Sequence, residues 1–424
     1  MRKYFLIAYV FICCQCFAQS GWIVTQLNPQ NDLVDVVFVN AQTGFMVEKW
    51  TFTPPGSRIL KTTNGGVNWF NNYEPSNSGV ADIFFLNSQT GFAAGGRLHK
   101  TTNAGINWVL VPGGNLLGSV SEIFFINELT GWSASYATSQ SNIYGTTNGG
   151  LDWVLQHSSS GFGMRSVWFT SSQNGFAVEY GINNTKIFKT TNGSVWSSQS
   201  NNIKGESVFF VNGATGYISG SDTDFYGSIL KTTDSGNSWS LAFKGDLFNE
   251  ILSVHFPSVN TGYAAGGTGI YKTTNAGGNW IYHSLPGIFT VESVFFLNDT
   301  LGFACGTRGT FIRTTTGGVI SVNQISSEIP KHFSLQQNYP NPFNPSTIIE
   351  FSIPQTPLSF GEGLGVGLNI YNSLGQKIAT LVNQSLTPGT YSANWDASNY
   401  PSGVYFYRLS SGEFSATQKM ILIK

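Results

Sequence analysis

A chain of 424 residues with 49 glycines and 33 phenylalanines has room for a large array of strands and a small companion domain. Only 10% of its residues are charged and the formal net charge is −1, so it carries neither the basic stripe that neutralises nucleic-acid phosphates nor an acidic disordered tail. No long helical apolar periodicity follows the first twenty residues, which points to an all-β protein with a neutral surface.

Arg2 and Lys3 precede an apolar run from Tyr4 to Phe17, and Cys16-Phe17-Ala18 places small residues ahead of Gln19. Residues 1–18 therefore read as a signal peptide, too short for a membrane span, and no second apolar run follows. Lipidation at Cys13, Cys14 or Cys16 would want small residues just before the cysteine, and these are missing. The mature chain keeps only Cys305, within Gly302-Phe303-Ala304-Cys305-Gly306, so it has no intramolecular disulfide and a buried, inert thiol is expected.

Next comes a repeat. Val34 to Asn40 is followed by Thr43-Gly44-Phe45, by Leu60-Lys61-Thr62-Thr63-Asn64-Gly65-Gly66 and by Asn68-Trp69. The glycine of the Thr-Gly-aromatic step recurs as Gly44, Gly91, Gly131, Gly175, Gly216, Gly262 and Gly302, at intervals of 40 to 47 residues. That spacing suits a four-stranded propeller blade, and seven copies predict seven blades. Trp69, Trp108, Trp153, Trp196, Trp239 and Trp280 end six copies, whereas the seventh reaches Gly318-Val319 without one. Gly21-Trp22-Ile23-Val24-Thr25-Gln26 has the missing shape, so the N-terminal strand is expected to complete the last blade and close the ring.

The segments Thr62–Trp69, Thr101–Trp108, Thr146–Trp153, Thr232–Trp239 and Thr273–Trp280 resemble the Asp-box, or BNR repeat, of sialidase-type propellers and of photosystem II assembly factors. The copy at Thr190–Trp196 is one residue short, and Thr316 stands at the box position of the seventh. Asn64, Asn103, Asn148, Asn192, Asp234 and Asn275 are expected to accept hydrogen bonds from turn N–H groups, a structural role. They sit on separate hairpins and cannot converge on a metal.

After Val319 a Ser/Asn/Gln-rich stretch, 321–333, reads as a linker. Strand-like runs follow at 348–353, 368–371, 389–395, 403–410 and 417–423, as in a small β-sandwich spanning 334–424. Asn338-Tyr339-Pro340-Asn341-Pro342-Phe343-Asn344-Pro345, Asn372-Ser373-Leu374-Gly375, Pro388-Gly389-Thr390-Tyr391, Ser402-Gly403-Val404-Tyr405 and the closing Lys419 to Lys424 are similar to the type IX (Por) secretion sorting domain of Bacteroidetes. Leu358–Gly367 departs from that pattern as an insertion between the first two strands. The resemblance implies passage through the periplasm, engagement of the type IX machinery, and release or display at the cell surface.

For the propeller, the resemblance leaves the ligand open. Loops between second and third strands carry Glu48, Lys49, Trp50, Arg97, Tyr136, Glu179, Tyr180, Asp222, Asp224, Tyr226 and Arg308, a candidate binding face around the channel. A sialidase would need three arginines on the substrate carboxylate, and the region offers only Arg58, Arg97, Arg165, Arg308 and Arg313. Another glycoside hydrolase would need two facing carboxylates, for which Glu48, Glu179 and Asp222 are the candidates. With scattered histidines and no phosphate loop or metal-type spacing, neither a cofactor nor a catalytic role is expected. The reading is a secreted or cell-surface propeller that binds or scaffolds a protein or glycan; the alternative is a secreted glycoside hydrolase.

Overall fold

The computed structural model describes residues 17–19, 21–28, 30–50, 56–75, 79–115, 119–137, 139–181, 185–285, 290–318, 322–355, 364–397 and 400–424. Most of the expected signal peptide lies outside these residues. Among them every regular element is a strand, and no helix is long and apolar enough to cross a membrane.

Six antiparallel sheets each take four consecutive strands, the first being Asp32–Phe38, Gly44–Trp50, Gly56–Thr62 and Phe70–Tyr73. A seventh joins Val291–Phe296, Gly302–Gly306 and Thr310–Thr314 to the N-terminal strand Trp22–Gln26, with Phe17–Gln19 outermost. Ile23 lies opposite Arg313 and Gln26 opposite Thr310. The innermost strands adjoin in chain order, and Val291–Phe296 adjoins Asp32–Phe38, so the array comes back on itself.

The box turns explain why Thr, Asn and Gly recur together. Thr62 Oγ1 accepts the Gly66 N–H at 3.0 Å and donates to Asn64 Oδ1, which also accepts the Asn68 N–H at 2.9 Å. The same geometry recurs at Asn103, Asn148, Asp234 and Asn275. In the short copy Asn192 captures the N–H of Val195 instead, three residues on rather than four, which absorbs the deletion. Gly66 has φ +82°, and a Cβ there would stand 2.4 Å from the Phe311 ring of the neighbouring sheet, so only glycine lets the two sheets close up.

Trp22 seals the seam. It is 1% exposed, lies edge-on to Tyr263 and Phe296, and a Cβ on Gly318 would stand 2.3 Å from its Nε1. Thr316, the residue that breaks the box pattern, donates to the Gly21 carbonyl across this junction at 3.5 Å.

The C-terminal region forms two further sheets. One orders Val322–Ser326, Gly389–Asp396, Ser346–Ile353 and Ser334–Leu335; the other orders Lys377–Leu386, Leu364–Tyr371, Gly403–Ser411 and Phe414–Leu422. Ile349, Phe351 and Trp395 of the first share one apolar core with Leu368, Tyr407 and Met420 of the second. Two strands differ from the sequence expectation. Residues 322–326 of the expected linker pair with Gly389–Asp396, and Lys377–Leu386 is an additional strand. Both are sheet edges, where alternation in the sequence is weak. Leu364 to Gly367 extends a strand into the expected insertion, and 356–363 lie outside the described residues.

The proline-rich lead-in is held by the last strand. Asn341 Oδ1 accepts the Ile421 N–H at 3.0 Å, Asn338 Nδ2 donates to the Pro340 carbonyl beside Pro342, and the Lys424 N–H donates to Ser402 Oγ. Gly375 (φ +74°) closes a turn onto Asn372, while Gly389 and Gly403 each open a strand.

Candidate functional site

All eleven candidate face residues lie at the connection between the second and third strands of their sheets, so they share one end of the array. Their surroundings differ. Glu48, expected at a solvent-facing loop, is buried at the end of its strand: Arg58 stands opposite it, pairs with its carboxylate, and Asn31 Nδ2 donates to it at 2.9 Å. Glu179 is also buried and accepts from Ser159 Oγ. Asp222 is held by the Lys244 ammonium at 2.6 Å and by the N–H groups of Asp224 and Tyr226, which keep its carboxyl below the usual range despite partial burial. Of the three carboxylates expected as glycosidase candidates, Glu48 and Asp222 are thus engaged within their own sheets and Glu179 by Ser159 of the preceding sheet. Arg97, Tyr136, Asp224 and Arg308 are exposed, and Trp50 ends its strand.

Lys49 and Tyr180 feel charged groups of neighbouring sheets. Burial pulls the Lys49 ammonium down, while Asp82, Glu292 and Asp35 pull it back up. Tyr180 carries the Arg165 guanidinium over its ring at 4.9 Å, and Arg165 pairs with Glu206 of the next sheet at 3.4 Å.

Beneath them is a structure the face-residue reading missed. Each innermost strand has a β-bulge, and the residue after it is Asp35, Asp82, Glu122, Ser166, Ser207, Ser253 or Ser293 in successive sheets. Five of these side chains bond the backbone of the neighbouring sheet. Asp35 accepts the Ile83 N–H, Asp82 the Ile123 N–H, Glu122 the Val167 N–H, Ser166 the Val208 N–H and Ser253 the Val294 N–H, at 2.8–3.2 Å. Asp35 also accepts from Ser293 Oγ at 3.0 Å, tying the last sheet to the first and second. Three successive carboxylates stand on neighbouring innermost strands, where the charges of Asp35 and Glu122 add to burial in raising the proton affinity of Asp82. Burial lifts Asp35, lifts Asp82 further, and brings Glu122 to about 7, with Glu206 also at about 7. The signal was in the sequence, as one column of the aligned repeats.

Two residues further along six of these strands, Phe84, Phe124, Trp168, Phe209, His255 and Phe295 form a belt of rings whose neighbouring centroids are 4.6–5.4 Å apart, with Val37 at the same place in the first. Burial in this belt holds His255 neutral, its imidazolium favoured only below about 4. Among the described residues no group of three or more His, Cys, Asp or Glu is placed to hold a metal ion.

Residues 337–424 match the secretion system C-terminal sorting domain, and residues 15–164 match the photosynthesis system II assembly factor YCF48 family. The fold is similar to that of YCF48 bound to D1 peptide, at 18% identity and a TM-score of 0.55, covering 71% of this chain and 99% of that one. The chain is a β-propeller with a secretion sorting tail. The propeller is also similar to YCF48 from Cyanidioschyzon merolae, at 17% identity and TM-score 0.54 over 69% of this chain and 98% of the other. The extracellular domain of a one-component system from B. thetaiotaomicron covers 97% of this chain with 63% of its own length, at 11% identity and TM-score 0.50. No curated protein matches the sequence. At these identities the likeness speaks for fold, and the sorting tail speaks for export.

Proposed function

We propose that the chain is a non-catalytic, seven-bladed propeller displayed at or released from the cell surface, where it binds or scaffolds a protein or glycan partner. Its sorting module, residues 334–424 folded as a β-sandwich, follows a propeller spanning residues 19–320. A signal peptide takes the chain to the periplasm, and the type IX machinery takes it across the outer membrane. The observation that carries this reading is the match of residues 337–424 to a sorting domain behind a propeller. The non-catalytic part is supported by the local engagement of Glu48, Glu179 and Asp222, which leaves no free carboxylate pair among them for acid–base work on a sugar.

Two measurements test it. Deleting Ser334–Lys424 is expected to trap the chain in the periplasm, and surface display of the truncated chain refutes the sorting role. Glycan and matrix-protein arrays probed with the full secreted chain are expected to give a saturable ligand; hydrolysis of a sugar substrate without such a ligand refutes the non-catalytic reading.

A further inference from the structure

One corner of the face carries backbone conformations that its side chains do not favour. Among the described residues seven non-glycine positions have positive φ. Ala104, Ser235 and Ala276 are box-turn positions at which other copies place glycine. Phe225 (φ +67°) and Phe248 (φ +58°) are different: both are bulky aromatics, for which the left-handed region is a rare and strained choice. They are also neighbours. The Phe248 N–H donates to the Phe225 carbonyl at 2.8 Å, and their rings lie 5.9 Å apart with planes tilted by 35°. Phe225 is 49% exposed and Phe248 78%, so packing does not account for the strain. Strain held where no core rewards it is a mark of function.

The surroundings indicate what the rings meet. Lys204 is only 4% exposed, and its ammonium stands 3.6 Å from the Phe225 ring centroid. Among the described residues that ammonium has no oxygen partner, so its N–H groups remain available to a ligand. Beside the hairpin that presents Phe225, Asp222 and Asp224 line a cleft of about 560 Å³ whose other wall carries Gln199, Asn201 and Asn202. That volume falls within the ~300–1,000 Å³ of small-ligand sites.

We infer that Phe225 and Phe248 are the stacking platform of a carbohydrate subsite, with Lys204 and the amide-lined cleft binding the hydroxyls of a neutral oligosaccharide. A pyranose ring presents an apolar C–H face, weakly positive, which suits the negative face of an aromatic ring. Its rim of hydroxyls needs donors and acceptors close together, which the Lys204 ammonium, the Asn202 amide and the Asp224 carboxylate provide. Local charge does not call for an ionic ligand, because the ammoniums of Lys204 and Lys244 are matched in number by the carboxylates of Asp222 and Asp224. The inference rests on the reading of this face as a binding surface and specifies its ligand.

The test uses the full secreted chain, calorimetric titration with cellohexaose, xylohexaose and mannohexaose, and Phe248→Gly and Phe225→Gly variants. Glycine is at ease at positive φ, so a residue kept for binding should be replaceable without loss of melting temperature. The expected result is binding of at least one hexasaccharide, weakened about tenfold or more by each substitution, with melting within about 2 °C of the parent or above it. No binding of any of the three sugars overturns the inference, as does binding that both variants retain. A loss of binding accompanied by a fall of several degrees in both variants also overturns it, because the rings are then structural. Polygalacturonate and a matrix-protein array run alongside separate the two levels: capture of either with the neutral sugars silent overturns the subsite and leaves the wider binding reading standing, whereas silence throughout fails both.

Discussion

Replacing Trp22 with alanine tests whether the N-terminal strand is the clasp of the ring. The indole is 1% exposed, contacts Tyr263 and Phe296 edge-on, and closes over Gly318, so its removal leaves a cavity between the sixth sheet and the one sheet built from opposite ends of the chain. Truncating a buried Trp to Ala costs about 3–5 kcal/mol. For a cooperative unit of about 300 residues the unfolding entropy is roughly 0.6 kcal/mol per degree, so the melting temperature should fall by about 5–8 °C. Differential scanning calorimetry of the full chain measures this. Hydrogen exchange supplies the second readout: protection should be lost first in Thr310–Thr314, the strand that Trp22–Gln26 covers. Trp196→Ala is the control, because that half-buried indole lies edge-on to Phe169 between two sheets away from the seam. A fall of less than about 2 °C for Trp22→Ala, or unchanged exchange at Thr310–Thr314, refutes the clasp.

Burial brings Glu122 to about 7, so its stabilising contribution is complete below the ordinary carboxyl range and is lost as pH rises through 7. Glu122→Gln keeps an oxygen for the Val167 N–H, and its stability relative to the parent should improve between pH ~5 and ~8 by about 1 kcal/mol or more; a flat difference by chemical denaturation refutes the burial argument. His255 and His283, each pulled down to about 4 by burial, act in the opposite direction below pH ~6.5, which is why the comparison must be made against the parent at each pH. Burial pushes the Cys305 thiol up, and iodoacetamide should label it only on unfolding; rapid labelling of the native chain contradicts its placement. Thr62→Val keeps the shape of the box turn but strips the buried Gly66 N–H of its acceptor, for an expected loss of about 1–3 kcal/mol by denaturant titration.

The sheets were legible because their determinants are local and repeated. The Thr-Asn-Gly turn is built by side chains within a few residues of one another, and the Trp series showed which copy lacked a strand and where that strand lay. Edge strands escaped notice: Val322–Ser326 and Lys377–Leu386 are rich in Asn, Gln, Ser and Thr, which water tolerates in strand and loop alike. Glu48 was read as a face residue because a carboxylate beside a loop usually is one; its burial depends on Arg58 being opposite it, a fact of register. The aligned column of Asp35, Asp82 and Glu122 could have been noticed, but its bonds run between sheets about forty residues apart. Phe225 and Phe248 were out of reach, since no pattern of letters reports a positive φ on phenylalanine.

The seam has a consequence for how copies of this chain meet one another. Thr316 touches Gly21 across a separation of 295 positions, so the ring is finished only when the most distant parts of it find each other, and until then Thr310–Thr314 presents an open hydrogen-bonding edge. The strand Trp22–Gln26 of a second molecule satisfies that edge as well as the molecule's own. Crowded chains that mature together therefore have a ready route to strand-exchanged dimers, each borrowing its latch from the other.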